Sequence, residues 1–408
     1  MIKKDFLVAL FDRAVAVADP MQSLAAALPP KPAGRVVVIG AGKASARMAE
    51  AVEAEWGPCE GLVITRYGYG RPCQGIEIVE ASHPVPDAAG VAATLRMLDL
   101  LDTVGAGDFV LALISGGGSA LLCAPVGGIT LLEKQLVTSN LLASGAPIGT
   151  INGIRKELSA VKGGRLAAAA FPARMLALLI SDVPGDNPAD IASGPTVGHR
   201  GDAAKALKDL DKWDVAPAAS IRTFLAAGGD PVTPDDPRLT QVENVICAAP
   251  AQSLKAAAQM AREAGYVVEL LGDSIEGEAR EVAAAHAALA QRAKPGTVIL
   301  SGGELTVTRR GDGVGGPNAE YALALAIALN GIENIHAIAC DTDGVDGAAE
   351  VAGAVIGPDT LARARARGLD PQACLDRNDA HSFFAEIGDQ VVTGPTLTNV
   401  NDFRAILA

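Results

Sequence analysis

Four stretches of this chain share one pattern. A short run of Val, Ile or Leu stops abruptly in Gly, Ser or Asp, and an Ala- and Leu-rich segment of helical length follows. They are "RVVVIGAGKAS" from Arg35, "GLVITRYGYG" from Gly61, "VLALISGGGSALL" from Val110 and "MLALLISDVPGDN" from Met175. Apolar runs without alternation belong to strands buried on both faces, and a helix after each strand implies parallel strands joined by right-handed crossovers. The pattern predicts an α/β fold with a Rossmann-like parallel sheet. In such sheets ligands collect beyond the carboxyl ends of the strands, so the polar loops that close these runs are where chemistry is expected.

The chain has 408 residues, more than the roughly 250–300 at which a single core stops growing, so two domains are expected. Gly, Pro and Asp cluster in "LAAGGDPVTPDDPRLTQ", Leu225 to Gln241, the composition of a linker. The expected division is a larger domain over residues 1–230, with 393–408 as a candidate return into it, and a smaller α/β domain over 240–392. A formal net charge of −13 leaves no basic field to draw in nucleic acid or anionic membrane. No apolar run reaches 18 residues. The six cysteines are scattered without a C-x-x-C pair, as expected of reduced thiols. At the N-terminus, Asp5, Asp12 and Arg13 interrupt the apolar residues at helical spacing, which predicts an amphipathic helix rather than a signal peptide. A cytoplasmic enzyme acting on a small molecule is the expectation, with self-association left open.

The glycine-rich loops carry the first candidate site residues. "GAGKAS" supplies Gly40, Gly42 and Lys43 after a strand. It lacks the earlier glycine and the Ser or Thr after Lys that a P-loop requires, and Ser45 stands where a dinucleotide fingerprint wants its third glycine. Arg66 at the end of the next strand keeps an NADPH-dependent reductase in view, with His83 in "SHPVPD" as its candidate general acid. A lysine at a helix N-terminus opposes the helix dipole unless an anion lies beside it, so Lys43 points to a bound anion. In "SGGGS", Gly116, Gly117 and Gly118 allow backbone N–H groups to converge on an oxyanion, with Ser115 and Ser119 as hydroxyl donors. Asn152, Arg155, Lys156, Lys162 and Arg165 form a cationic run in an acidic protein. It reads either as a solvated helix face or, if Arg155 points inward, as a grip on a carboxylate or phosphate. Asp182 and Asp186, directly after a buried strand, suit magnesium or a general base. In the second half, Gly302, Gly303, Glu304, Gly315, Gly316, Asn318 and Glu320 lie in glycine turns or near a helix start, and "CDTDGVDG" adds Asp343.

These motifs, with "NGIRKELSAVKGGRLA", "SDVPGDNPADIASGPT", "GGPNAE" and "TGPTLTNVND" in this order, resemble the D-glycerate 2-kinase family over nearly the whole chain. That family carries a small C-terminal MOFRL module, and its bacterial members are often labelled hydroxypyruvate reductase. The resemblance implies ATP- and magnesium-dependent transfer of the γ-phosphoryl group to the 2-hydroxyl of D-glycerate, in a cleft between a Rossmann-like domain and the smaller one. It marks Lys43 as the cation facing the phosphoryl group or the glycerate, and Asp182 or Asp186 as the group that orients or deprotonates the hydroxyl. Asp186 and Asp343 are the expected metal ligands, and the glycine turns with Glu304, Asn318 and Glu320 the nucleotide cradle. Many relatives read Gly-Gly-Arg-Asn-Gln-Glu where this chain has Gly316-Pro317-Asn318-Ala319-Glu320. Arg155, Arg309 or Arg310 is then the candidate for the missing charge. The competing readings are the hydroxypyruvate reductase and a non-catalytic binder of sugar acids.

Overall fold

In the computed structural model, which describes residues 3–347 and 349–408, the chain forms two compact units. The first comprises residues 23–181 and 186–247. Its sheet contains β1 (Val36–Ala41), β2 (Glu60–Arg66), β3 (Ile76–Ala81), β4 (Phe109–Ile114), β5 (Arg174–Ile180) and β6 (Val242–Ala248), in the order β3-β2-β1-β4-β5-β6. β1 pairs in parallel with both β2 and β4, and β5 extends the sheet in parallel beside β4. Every residue of β1 and β4 is buried, as their unbroken apolar sequences require. Chain order reverses between β1 and β4. The carboxyl ends of these two strands therefore bound the crevice where doubly wound sheets bind ligands.

The second unit comprises residues 1–22, 182–185 and 248–408. Its mixed sheet holds β7 (Val267–Gly272), β9 (Thr297–Gly303), β11 (His336–Asp341), β12 (Gly353–Ile356), β13 (Gln390–Val391) and β14 (Asp402–Leu407), in the order β13-β12-β11-β14-β9-β7. β8 (Gly277–Glu278) and β10 (Leu305–Thr306) make a separate short pair.

The expected boundaries need three corrections. β6 belongs to the first sheet, so the first unit runs to Cys247 rather than ending near 230. The last strand does not return to the first sheet, because β14 is inserted antiparallel between β11 and β9. The amphipathic helix Lys3–Ala18 forms as expected but belongs to the second unit. Its Phe6, Leu7, Leu10 and Phe11 pack with Leu254, Ile338 and Phe403. Burying each such side chain contributes about 1.5–3 kcal/mol, enough to hold a terminal helix far in sequence from its partners.

Candidate functional site

At the crevice of the first sheet the two loops after β1 and β4 are bonded to one another. Lys43 N–H donates to the Gly116 carbonyl at 2.8 Å, and Ser115 N–H donates to the Ala41 carbonyl at 3.3 Å. The Ser115 hydroxyl accepts from Ala44 N–H at 3.0 Å and lies 3.2 Å from the Ser45 hydroxyl, which donates to the Leu113 carbonyl at 2.9 Å. A Cβ on Gly42, at φ +149°, would lie 2.0 Å from Ser115 Oγ, and one on Gly40 would lie 2.4 Å from the Leu113 carbonyl oxygen. Gly40 and Gly42 are thus required by the approach of the two loops to each other. Thr65 at the end of β2 donates to the Gly42 carbonyl at 3.1 Å. It props the loop from behind, at the strand end where a dinucleotide-binding acid would stand. Arg66 lies over the Tyr69 ring, 5.2 Å from its centroid, and donates to the Tyr69 hydroxyl at 3.2 Å.

Gly117 is half-buried in this turn. Its φ of +79° is left-handed, and a Cβ there would stand 3.0 Å from Lys43 Cγ and 3.2 Å from His83 Cδ2. Among the described residues the amides of Gly116 and Gly117 donate to no protein acceptor. Two unpaired N–H groups beside a lysine stem make a concavity suited to oxyanions. Ser119 shares a hydrogen bond of 2.7 Å with Ser193, whose hydroxyl also lies 3.3 Å from the Asn152 side-chain oxygen. A Cβ on Gly118 would meet Ala192 at 2.7 Å, so this glycine seats the turn against the segment around Ser193.

The cationic run beyond Asn152 is not a solvated face. Lys156 and Lys162 are buried and Arg155 and Arg165 are half-buried. Asp186 follows β5 in a tight turn with a left-handed φ of +53°, which Asp tolerates better than most residues. Its carboxylate has no hydrogen-bond partner among the described residues. Asp182 belongs to the second unit, where its Oδ2 accepts from Asn399 at 3.2 Å and its carbonyl accepts from Asn401 at 3.2 Å.

The glycine turns of the second unit serve a different purpose. The helix Pro317–Leu329 begins with Pro317 in its first turn, where a missing N–H costs nothing. The amides of Asn318 and Ala319 donate to the Asp346 carboxylate at 3.0 and 2.8 Å, so the anion at this helix start is the protein's own. A Cβ on Gly316 would lie 2.4 Å from Asp346 Cγ, one on Gly315 would lie 2.7 Å from the Asn378 carbonyl oxygen, and one on Gly303 would lie 2.3 Å from the Ile275 backbone. Gly302 is buried in β9. Glu320 is fully buried, bonded to Arg280 at 2.6 Å and to Asn378 at 2.8 Å. Asn318 donates from its side chain to Asp402 at 2.6 Å. Burial is the chief reason that the Asp402 pKa rises to about 6, against the attraction of Arg404 at 3.2 Å. The expected cradle of Gly302, Gly303, Gly315, Gly316, Asn318 and Glu320 is therefore knit into the protein's own core. Glu304, Arg309 and Arg310 are exposed. Asp343 is buried, with Oδ1 accepting from Val345 N–H at 2.8 Å. Among the described residues no three acidic, His or Cys side chains converge as a metal site, and the two expected metal ligands, Asp186 and Asp343, belong to different units.

Sequence reasoning weighed His83 only as a reductase acid and passed over Ser193. Ser193 follows a predicted strand, as Lys43 and Ser115 do, whereas the strand before His83, Ile76–Ala81, was not among those predicted. It also singled out neither Asp402, which closes the stretch TGPTLTNVND, nor His381, which lies 3.1 Å from Asp346, because their partners lie far away in the sequence.

Comparison with known proteins places the chain. A family model described as a domain of unknown function, DUF4147, matches residues 6–226, and the MOFRL family model matches residues 297–402. A protein of Agrobacterium vitis provisionally named a hydroxypyruvate reductase is 48% identical, over 98% of this chain and 93% of its own length. The D-glycerate 2-kinase of Thermotoga maritima is 37% identical, over 98% of this chain and 97% of its own. A crystal structure of glycerate kinase from Thermotoga maritima superposes with a TM-score of 0.87 at 36% identity, covering 99% of both chains. With both family models in their expected halves and a kinase relative matched end to end in sequence and in fold, the chain belongs to the glycerate 2-kinase family.

Proposed function

We propose that this protein transfers the γ-phosphoryl group of ATP, with magnesium, to the 2-hydroxyl of D-glycerate, giving 2-phosphoglycerate and ADP. The observation that carries the reading is the turn after β4, where the Gly116 and Gly117 amides have no protein acceptor among the described residues and Gly117 adjoins Lys43. Membership of the glycerate 2-kinase family supplies the reaction, including the position of the hydroxyl.

Phosphoryl transfer asks the protein for positioning and charge stabilisation rather than for a covalent nucleophile. The Gly116 and Gly117 amides hold anionic oxygens of the transferring group, and Lys43 offsets the charge that spreads over them. Ser119 donates its hydroxyl proton to Ser193, which donates in turn to Asn152, so this chain fixes the turn rather than donating to the anion. The acceptor hydroxyl is oriented by a carboxylate of the segment after β5. Asp186 has its oxygens clear of protein partners, whereas one oxygen of Asp182 is already engaged by Asn399.

Magnesium usually binds through one or two carboxylates, with phosphate oxygens and water completing its octahedron. Asp186 fits that demand and Asp343 offers less, since its Oδ1 is taken by Val345. Held there, the ion would supply positive charge against the charge that develops on the transferring group.

The test is an assay of purified protein with D-glycerate, ATP and magnesium in which the product is identified, run beside hydroxypyruvate with NADPH. Formation of 2-phosphoglycerate without NADPH oxidation is expected. NADPH oxidation with no phosphorylated product would overturn the kinase reading in favour of the reductase.

A further inference from the structure

Behind the glycine turn lies a group of cations for which no counter-ion stands among the described residues. The short helix Gly118–Leu121 ends at Leu122, whose carbonyl accepts from buried Lys162 at 2.6 Å. The helix Ile148–Glu157 ends at Leu158, whose carbonyl accepts from buried Lys134 at 3.1 Å. Half-buried Arg155 stands in the last turn of that second helix and donates to no protein acceptor among the described residues. Neither lysine has a carboxylate within ion-pair distance among those residues. Lys162 is bonded at Leu122, next to Cys123 in the chain, and Lys134 at Leu158, three residues after Arg155. Burial lowers the proton affinity of each, and at both lysines the neighbouring cations lower it further.

Lysines bonded to helix-terminal carbonyls gain from the dipole, but a carbonyl end carries only about half a charge and leaves most of each ammonium unbalanced. Uncompensated buried charge is strongly unfavourable, so the arrangement improves when an anion arrives. Arg155 is the member with open donors, and its planar fork matches a carboxylate bidentately. One turn earlier on the same helix, Asn152 ends the hydrogen-bond chain that begins at Ser119 in the glycine turn.

We infer that Arg155, backed by Lys134 and Lys162, holds the carboxylate of the substrate and selects a hydroxy acid over its neutral analogue. The identity of that acid rests on the kinase reading, and the cation site itself does not. Lys134 and Lys162 are positioning residues here, since they act through Arg155 and through the ends of the two helices.

The experiment compares D-glycerate with D-glyceramide, which keeps both hydroxyls and lacks the charge. Binding is measured by calorimetry without nucleotide, and kcat/KM with it, for wild type, Arg155→Met and Lys162→Met. Wild type is expected to prefer the acid by roughly 10- to 100-fold, the scale of a charge-assisted hydrogen bond. Arg155→Met should bring that ratio close to one by weakening the acid alone, with its Tm unchanged because Arg155 makes no protein bond. Lys162→Met should lower the ratio and also the Tm, since it uncaps a helix. Equal wild-type affinity for acid and amide, or an Arg155→Met that weakens both alike, overturns the inference. Discrimination that depends on Arg155 without any phosphorylated product would sink the kinase reading and leave the carboxylate site standing. Product formation with discrimination intact in Arg155→Met would do the reverse.

Discussion

Two glycine-rich turns of this protein look alike in sequence and differ in what approaches their backbone. After β4, Gly116 and Gly117 keep their amides unpaired, and the side chains nearest Gly117 are Lys43 and His83. Before the helix Pro317–Leu329, Gly315 and Gly316 press against Asn378 and Asp346, and Asp346 already accepts the first amides of the helix. Glycine marks close approach in both places. Only in the first does the approach remain open to a ligand, and the sign of the neighbouring charge separates them: a cation beside one turn, a carboxylate beside the other.

Substitution at Gly117 should break this contrast most severely. Gly117→Val forces a β-branched residue into left-handed backbone and onto Lys43 and His83, so titration calorimetry should detect no nucleotide binding by a protein whose circular dichroism is unchanged. Binding at wild-type strength would show that nothing docks at this turn. Lys43→Ala should lower kcat by roughly 10² or more, the scale for one electrostatic stabiliser; steady-state kinetics showing unchanged turnover would remove Lys43 from the site. Gly316→Ala tests the other turn. Its Cβ collides with Asp346, so denaturant unfolding should show about 1–3 kcal/mol of lost stability, the usual cost of overpacking, with nucleotide affinity of the folded protein unchanged. Selective loss of nucleotide affinity there would make the two turns equivalent.

The smallest expected effect is a pH dependence confined to the second region. Asp402 titrates near 3.8 when exposed and at about 6 in the fold. The folded state therefore binds its proton more tightly. The stability this gives is fully present below about pH 3.8 and is lost as pH rises through about 6. Asp402→Asn should gain on the wild type across that window in denaturant midpoints measured at pH 4 and 7. A constant difference between the two proteins would show that Asp402 does not titrate there.

Much of the first unit was legible because its strands are unbroken apolar runs, and β1, β2, β4 and β5 fall where those runs lie. The order of the strands, and with it the point where chain order reverses, did not follow from that pattern. The sheet that receives β14 was not legible, since a terminal strand chooses its partners through contacts nearly a hundred residues away, such as Leu305 N–H on Asp402. The N-terminal helix shows the same limit: its apolar face was evident, but the surface that covers it was not. Within the proposed site, Lys43 and the SGGGS turn were singled out by residue type and position, and the structure places them side by side. The inward turn of Lys162 could not, because a lysine that bonds a helix-terminal carbonyl has the same local sequence as one in water. The glycines before Pro317 misled for a physical reason, as Asp346, which fills that helix start, follows almost thirty residues later.

The difference between the two turns is most directly read by amide nuclear magnetic resonance of the folded protein during titration with ATP and magnesium. The Gly116 and Gly117 amides should move in proportion to occupancy while those of Gly315 and Gly316 stay in place. Shifts at Gly315 and Gly316 with Gly116 and Gly117 unmoved would contradict the assignment and transfer the anion site to the second unit.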